Sequence, residues 1–146
     1  MRRESFLQTY HQNVFLDCLR ICMKKKILLV DDDEDLVETV RLSLKSHGFD
    51  VHPHTTSANI ADVVEYYKPD LILLDIRLGD EEDDMSGMDI CRELKVTHNI
   101  PILLISADIR KGNAFKDFGA DAFLVKPFNA DQLINIINQH LHSSKG

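Results

Sequence analysis

From Lys26 onward, short apolar runs alternate with stretches whose apolar positions recur at helical spacing. Ile27 to Val30 reads as a strand. Asp35 to His47 follows as a helix, with Leu36, Val37, Val40, Leu42 and Leu44 apolar and Gly48 as its stop. Phe49 to His52 predicts a second strand and Ala58 to Tyr67 a second helix. Pro69-Asp70 then punctuates before Leu71-Ile72-Leu73-Leu74, a continuous apolar run of the kind shown by a strand covered on both faces. Met88 to Lys95 predicts a third helix, Pro101 to Ile105 a fourth strand, and Lys111 to Phe118 a short helix ended by Gly119. Ala122 to Val125 is the fifth strand. Ala130 to Leu141 is the last helix, with Leu133, Ile134, Ile136, Ile137 and Leu141 apolar.

A five-fold strand and helix alternation implies a parallel sheet with helices on both faces, and right-handed crossovers leave few topologies. The expected fold is α/β, doubly wound and flavodoxin-like, with strand order 2-1-3-4-5. Residues 1–22 stand apart from it as an N-terminal extension, helical or disordered, and residues 23–146 form the domain. In the extension Phe6, Tyr10, Val14, Cys18 and Leu19 fall at helical spacing.

Ligands in such folds bind outside the carboxyl ends of the strands, near the switch in strand order. The residues there are Asp31-Asp32-Asp33 after strand one, Asp75 after strand three, Ser106 after strand four and Lys126 after strand five. Clustered carboxylates repel unless a cation joins them, and a hard divalent ion takes oxygen ligands of this kind. A carboxylate is also a competent phosphoryl acceptor. Taken alone, Asp31 to Asp33 would read as a helix cap, Ser106 as a loop hydroxyl and Lys126 as a surface charge. Their shared position at strand ends argues for a site.

Charge and composition narrow the classes. With 24 acidic against 17 basic residues the net charge is -7, which disfavours sequence-independent binding to nucleic acid. Cys18, Cys22 and Cys91 are an odd set without the spacing of a disulfide framework, so a reducing cytoplasm is expected. Asp17 and Arg20 interrupt the N-terminal apolar stretch, which argues against export, and no apolar run is long enough to span a membrane. His52 with His54, and His140 with His142, lack a third ligand and read as ordinary side chains.

Val30-Asp31-Asp32-Asp33, Pro69 through Asp75-Ile76, Ile105-Ser106-Ala107 and Gly119 through Lys126-Pro127-Phe128, in that order, resemble the receiver domain of two-component response regulators. The resemblance implies that Asp75 is the phosphoacceptor. It implies that Asp31, Asp32, Asp75 and the backbone carbonyl of Arg77 hold Mg²⁺, or Mn²⁺ in its stead. Ser106 would contact the phosphoryl oxygens, Lys126 would pair with the acceptor ahead of a cis Pro127, and Phe123 would be the aromatic switch partner of Ser106. The implied partners are a histidine kinase or histidine phosphotransfer protein and a downstream protein target. No output domain, nucleic-acid contact or membrane contact is expected.

Two segments depart from the family pattern. The loop between Asp75 and Gly87 is longer and carries Asp80-Glu81-Glu82-Asp83-Asp84, with Gly79 near the place of the usual proline. The stretch from Ser106 to Lys126 is shorter. Arg77 and Asp108 occupy positions that affect dephosphorylation in the family, and an ion pair between them is one expectation. Two rivals stay open: a receiver-fold binding module that does not use phosphorylation, and a haloacid-dehalogenase-type phosphohydrolase with Asp31 as nucleophile and Asp33 completing its D-x-D.

Overall fold

The computed structural model describes residues 8–16, 23–79 and 86–143. Five parallel strands form one sheet in the order β2-β1-β3-β4-β5, the order expected. They are β1 Lys26–Val30, β2 Asp50–His54, β3 Leu71–Asp75, β4 Ile102–Ser106 and β5 Ala122–Val125. The α-helices of the sheet domain are α1 Glu34–Ser46, α2 Ile60–Tyr67, α3 Gly87–Thr97 and α4 Ala130–Ser143.

The continuous apolar runs resolve into two alternating faces. Ile27 and Leu29 of β1, Leu71 and Leu73 of β3, and Leu103 and Ile105 of β4 share one core with Val37, Val40 and Leu44 of α1 and Leu133, Ile137 and Leu141 of α4. The alternate residues Leu28, Val30, Ile72, Leu74, Ile102 and Leu104 pack on the opposite face with Ile60 and Val64 of α2 and Ile90, Cys91 and Leu94 of α3. Both faces of the inner strands are therefore buried, which is why their sequence shows no polar alternation.

Element ends carry identifiable signals. Asp33 caps α1 by accepting the Leu36 N–H at 3.1 Å, and Ser86 caps α3 through the Asp89 N–H at 3.3 Å. Gly48 and Gly119 take φ of 88° and 82° just after the elements they end, a conformation that favours glycine. β2 runs further than Phe49 to His52 and takes in Pro53, which an edge strand tolerates because one side of its ladder is free.

The expected helix at Lys111 to Phe118 is not an α-helix. It is a pair of 3-10 turns, Ile109–Asn113 and Phe115–Phe118, neither with a buried residue. A segment with so little apolar burial, broken by Gly112, has nothing to favour the longer element. Residues 8–16 form a short helix, exposed throughout, that includes Tyr10 and Val14; Phe6, Cys18 and Leu19 lie outside the described residues.

Candidate functional site

Register brings the acidic residues together. Val30 of β1 pairs with Leu74 of β3, so the next residues, Asp31 and Asp75, leave adjacent strands side by side. The hydrogen-bond ladder continues past the strand ends. The Asp31 N–H donates to the His54 carbonyl at 3.1 Å, the Ile76 N–H to Ile105 at 2.9 Å and the Lys126 N–H to Ser106 at 2.9 Å. The backbone beneath each functional side chain is therefore anchored. Asp31, Asp75 and Ser106 are only 1%, 5% and 2% exposed, and they are the buried polar side chains among the described residues.

Lys126, next to the cis peptide to Pro127, reaches across this edge. Its Nζ lies 2.8 Å from Asp31 Oδ2 and 3.2 Å from Asp75 Oδ2. Each carboxylate uses its other oxygen locally: Asp31 Oδ1 accepts the Asp33 N–H at 3.0 Å, and Asp75 Oδ1 accepts the Arg77 N–H at 3.3 Å. Asp32 is exposed and accepts the Gly79 N–H at 3.3 Å.

Burial, and then the neighbouring Asp31 charge, raise the Asp75 carboxyl from 3.8 to about 6, with Lys126 pulling the other way. Burial opposes the charge on Lys126, but its bond to Asp31 and the field of Asp75 outweigh that and raise its pKa. Oxygen atoms of Asp31, Asp32 and Asp75 lie within 4.8 Å of one another. Three carboxylates against one ammonium leave a deficit of two positive charges in a set of hard oxygen donors, which fits a divalent ion of the Mg²⁺ type.

Ser106 Oγ accepts the Asp108 N–H at 3.0 Å. Phe123 is half-buried, its ring 6.3 Å from that of Phe115 and tilted by 23°. The expected Arg77–Asp108 pair does not form. Asp108 instead binds Arg110, from Nε to Oδ1 and from Nη2 to Oδ2 at 2.9 Å each, because the tight 3-10 turn places Arg110 two residues away on the same side. Arg110 holds the Asp108 carboxyl down at about 2. Arg77 is exposed and forms no salt bridge among the described residues.

The histidines are occupied in ordinary ways: His52 lies against the Tyr67 ring, His54 Nε2 contacts the Ala58 carbonyl at 2.7 Å, and His140 Nδ1 contacts that of Ile136 at 2.8 Å. Cys91 is buried, and its thiol is raised to about 11 by desolvation. Cys18, Cys22 and the acidic run 80–84 lie outside the described residues.

Gly87 is a site residue that its sequence position marks only as a helix start. Its N–H donates to the Ile76 carbonyl at 2.8 Å, and a Cβ there would overlap the carbonyl oxygen of Asp75. Its signal is a glycine in the first turn of a well-capped helix, where a side chain would otherwise favour the helix.

A doubly wound sheet whose switch point holds an acidic cluster, faced by a lysine just past the last strand, is the arrangement of an α/β receiver domain. The chain belongs to the response regulator receiver domain family, whose model matches residues 27–138. It is 38% identical over 124 residues to the cell cycle transcriptional regulator CtrA of Caulobacter vibrioides, covering 83% of this chain and 52% of that one. The cell cycle response regulator CtrA of Brucella ovis is 36% identical over the same shares. The chain thus spans about half the length of the curated relatives it matches.

Among solved structures, the BeF3-activated N-terminal receiver domain of Klebsiella pneumoniae RstA is similar, with a TM-score of 0.73 and 28% identity over 80% of this chain and 98% of that one. NtrX from Brucella abortus superposes with a TM-score of 0.76 and 29% identity, over 84% of this chain and 28% of that one. Among the described residues no helix is long and apolar enough to cross a membrane.

Proposed function

We propose that this receiver domain takes a phosphoryl group onto the Asp75 carboxylate, and that the modified edge then changes a protein-contact face. The carrying observation is the shared ammonium of Lys126, which binds Asp31 and Asp75 at once at the end of adjacent strands. In-line transfer from a phosphohistidine of a kinase or phosphotransfer protein would break the P–N bond, form a P–O bond to Asp75, and leave the imidazole nitrogen with the electron pair. Lys126 would turn from the acceptor to a phosphoryl oxygen, and the Ser106 hydroxyl would donate to another. Asp31, Asp32, Asp75 and the Arg77 carbonyl would hold Mg²⁺, which when bound supplies charge neutralisation at the phosphoryl oxygens.

Drawing Ser106 toward the phosphoryl group would free space beside β5 that Phe123 can enter, loosening its contact with Phe115. The responding face would comprise the 3-10 segment, β5 and α4. Transcriptional regulation is a property named for the Caulobacter relative; for this chain the proposal stops at a phosphorylation-dependent contact with a protein target.

Incubation with Mg²⁺ and a small-molecule phosphodonor, followed by intact mass measurement, tests the reading. One added phosphate on the wild type and none on Asp75→Asn is expected. Labelling lost in Asp31→Asn but retained in Asp75→Asn would favour the dehalogenase chemistry instead. No label on any form, with the fold intact, would favour a binding module.

A further inference from the structure

At the amino ends of β1 and β3, the edge opposite Asp75, the charge reverses. Met23, Lys24, Lys25, Lys26, Lys68 and Asp70 line an open cavity of about 330 Å³. Four lysines and one carboxylate line it, and a second carboxylate, that of Asp50, lies nearby as the register partner of Lys26 and a neighbour of Tyr67, in a chain whose net charge is -7. The lining carboxylate is already engaged, since Asp70 Oδ2 accepts the backbone N–H of Lys26 at 2.8 Å.

The plainest explanation is that the lysines serve the carbonyl end of α2. It accounts for one of them: Lys26 Nζ lies 3.5 Å from the Tyr67 carbonyl oxygen and 5.4 Å from that ring. Lys24, Lys25 and Lys68 make no ion pair and no side-chain hydrogen bond among the described residues. Their backbone is nevertheless fixed. The Lys25 carbonyl accepts the Asp50 N–H at 2.9 Å, and that of Lys26 accepts the Asp70 N–H at 2.8 Å. Lys68 sits in the left-handed region at φ 54°, costly for a residue with a side chain, and donates its N–H to Val64 at 2.9 Å. Mutually repelling charges projecting from an anchored rim are relieved by an anion.

We propose that this cavity binds an anion of the oligophosphate class. Lysine ammoniums are point charges without the planar fork that matches a single carboxylate, so they favour an anion by its total charge and its spread. The volume admits more than one phosphate unit. β1 and β3 separate the cavity from Asp75 by about 17 Å, five residues at strand rise, so binding is expected to leave phosphoryl transfer unchanged.

Titration calorimetry of the metal-free protein in chelator, with inorganic triphosphate, pyrophosphate and orthophosphate as probes, tests this. Affinity is expected to rise with anion charge and to fall with salt. Lys25→Gln with Lys68→Gln should weaken triphosphate by about tenfold, whereas Asp70→Asn, which keeps an acceptor for Lys26 but removes the opposing charge, should tighten it by about threefold. The opposite signs separate charge from misfolding. Absence of saturable binding to the wild type, equal affinity in the double lysine variant, or weakening in Asp70→Asn would each overturn the proposal. Loss of binding in Asp75→Asn would overturn it too, by moving the anion to the other edge.

Discussion

The carboxyl ends of β1 and β3 and the segment 109–118 both follow strand ends on one edge of the sheet, yet they are built on different terms. At the first, backbone ladders run past the strands, three carboxylates and one lysine converge, and Asp31 and Asp75 are almost fully covered. At the second, two short turns carry no buried residue. The segment leans on the body through the half-buried rings of Phe115 and Phe118, with Arg92 4.4 Å from the latter. A cavity of about 550 Å³ opens beneath it, lined by Met88, Asp108, Arg110, Lys111, Ala114 and Phe118. The chemistry proposed for Asp75, which needs fixed distances, would sit on anchored strand ends. The segment that the proposed function would have change on signalling has few contacts to break.

The sharpest break of that contrast is Gly87→Ala. The new Cβ would overlap the Asp75 carbonyl oxygen and come within 2.8 Å of the carbonyl carbon and the Ile76 Cα, all backbone atoms that cannot swing aside. A loss of about 3 kcal/mol or more is expected in denaturant unfolding. A loss below about 1 kcal/mol would show that the start of α3 slides freely and that the Asp75 edge is no more rigid than segment 109–118.

Lys126→Met should come next, at about 2 kcal/mol in chelator near neutral pH, because it leaves two buried carboxylates without their shared cation. Added Mg²⁺ is expected to recover part of the loss. An unchanged midpoint would mean that solvent, not Lys126, already balances the cluster.

Asp75→Asn moves stability the other way. Burial and the Asp31 charge raise the native Asp75 carboxyl to about 6 from 3.8, so ionising it costs the folded state. The cost is fully present above about pH 6 and vanishes below the ordinary carboxyl value, where the acid is protonated in both states. Metal-free Asp75→Asn should thus be more stable than wild type by about 1–2 kcal/mol at neutral pH, part of the gain being offset by the weaker hydrogen bond an amide offers Lys126. The gap should close as pH falls from about 6 to about 4. A constant gap across that range would locate the gain elsewhere.

The same contrast governs what the sequence made legible. The strand runs, their order and the convergence of Asp31, Asp32, Asp75 and Lys126 are readable because a buried parallel sheet leaves continuous apolar runs and puts its polar exceptions at the ends. The short helix expected over Lys111 to Phe118 is instead two 3-10 turns, because the stretch is short, lacks a buried residue and is broken by Gly112. The Arg77–Asp108 expectation failed for a related reason. A charge finds its partner by local turn geometry, and Arg110 was two residues away. Gly87 was visible only as punctuation, since a close backbone approach leaves no trace in hydrophobic pattern.

The smallest expected effect tests the loose side. Phe115 and Phe123 face each other at 6.3 Å between centroids, near the outer limit for aromatic contact, and both are half-buried. Gly112 also lies against Phe123, where a Cβ would come within 3.1 Å of the ring. Phe115→Ala should therefore cost only about 1 kcal/mol, and a double-mutant cycle with Phe123→Ala should return a coupling of about 0.5 kcal/mol. A coupling of that size is held at rest yet is small enough for a repositioned Ser106 to overturn. If the cycle returned about 2 kcal/mol or more, the segment would be clamped as firmly as the Asp75 edge, and the switch role proposed for Phe123 would fail.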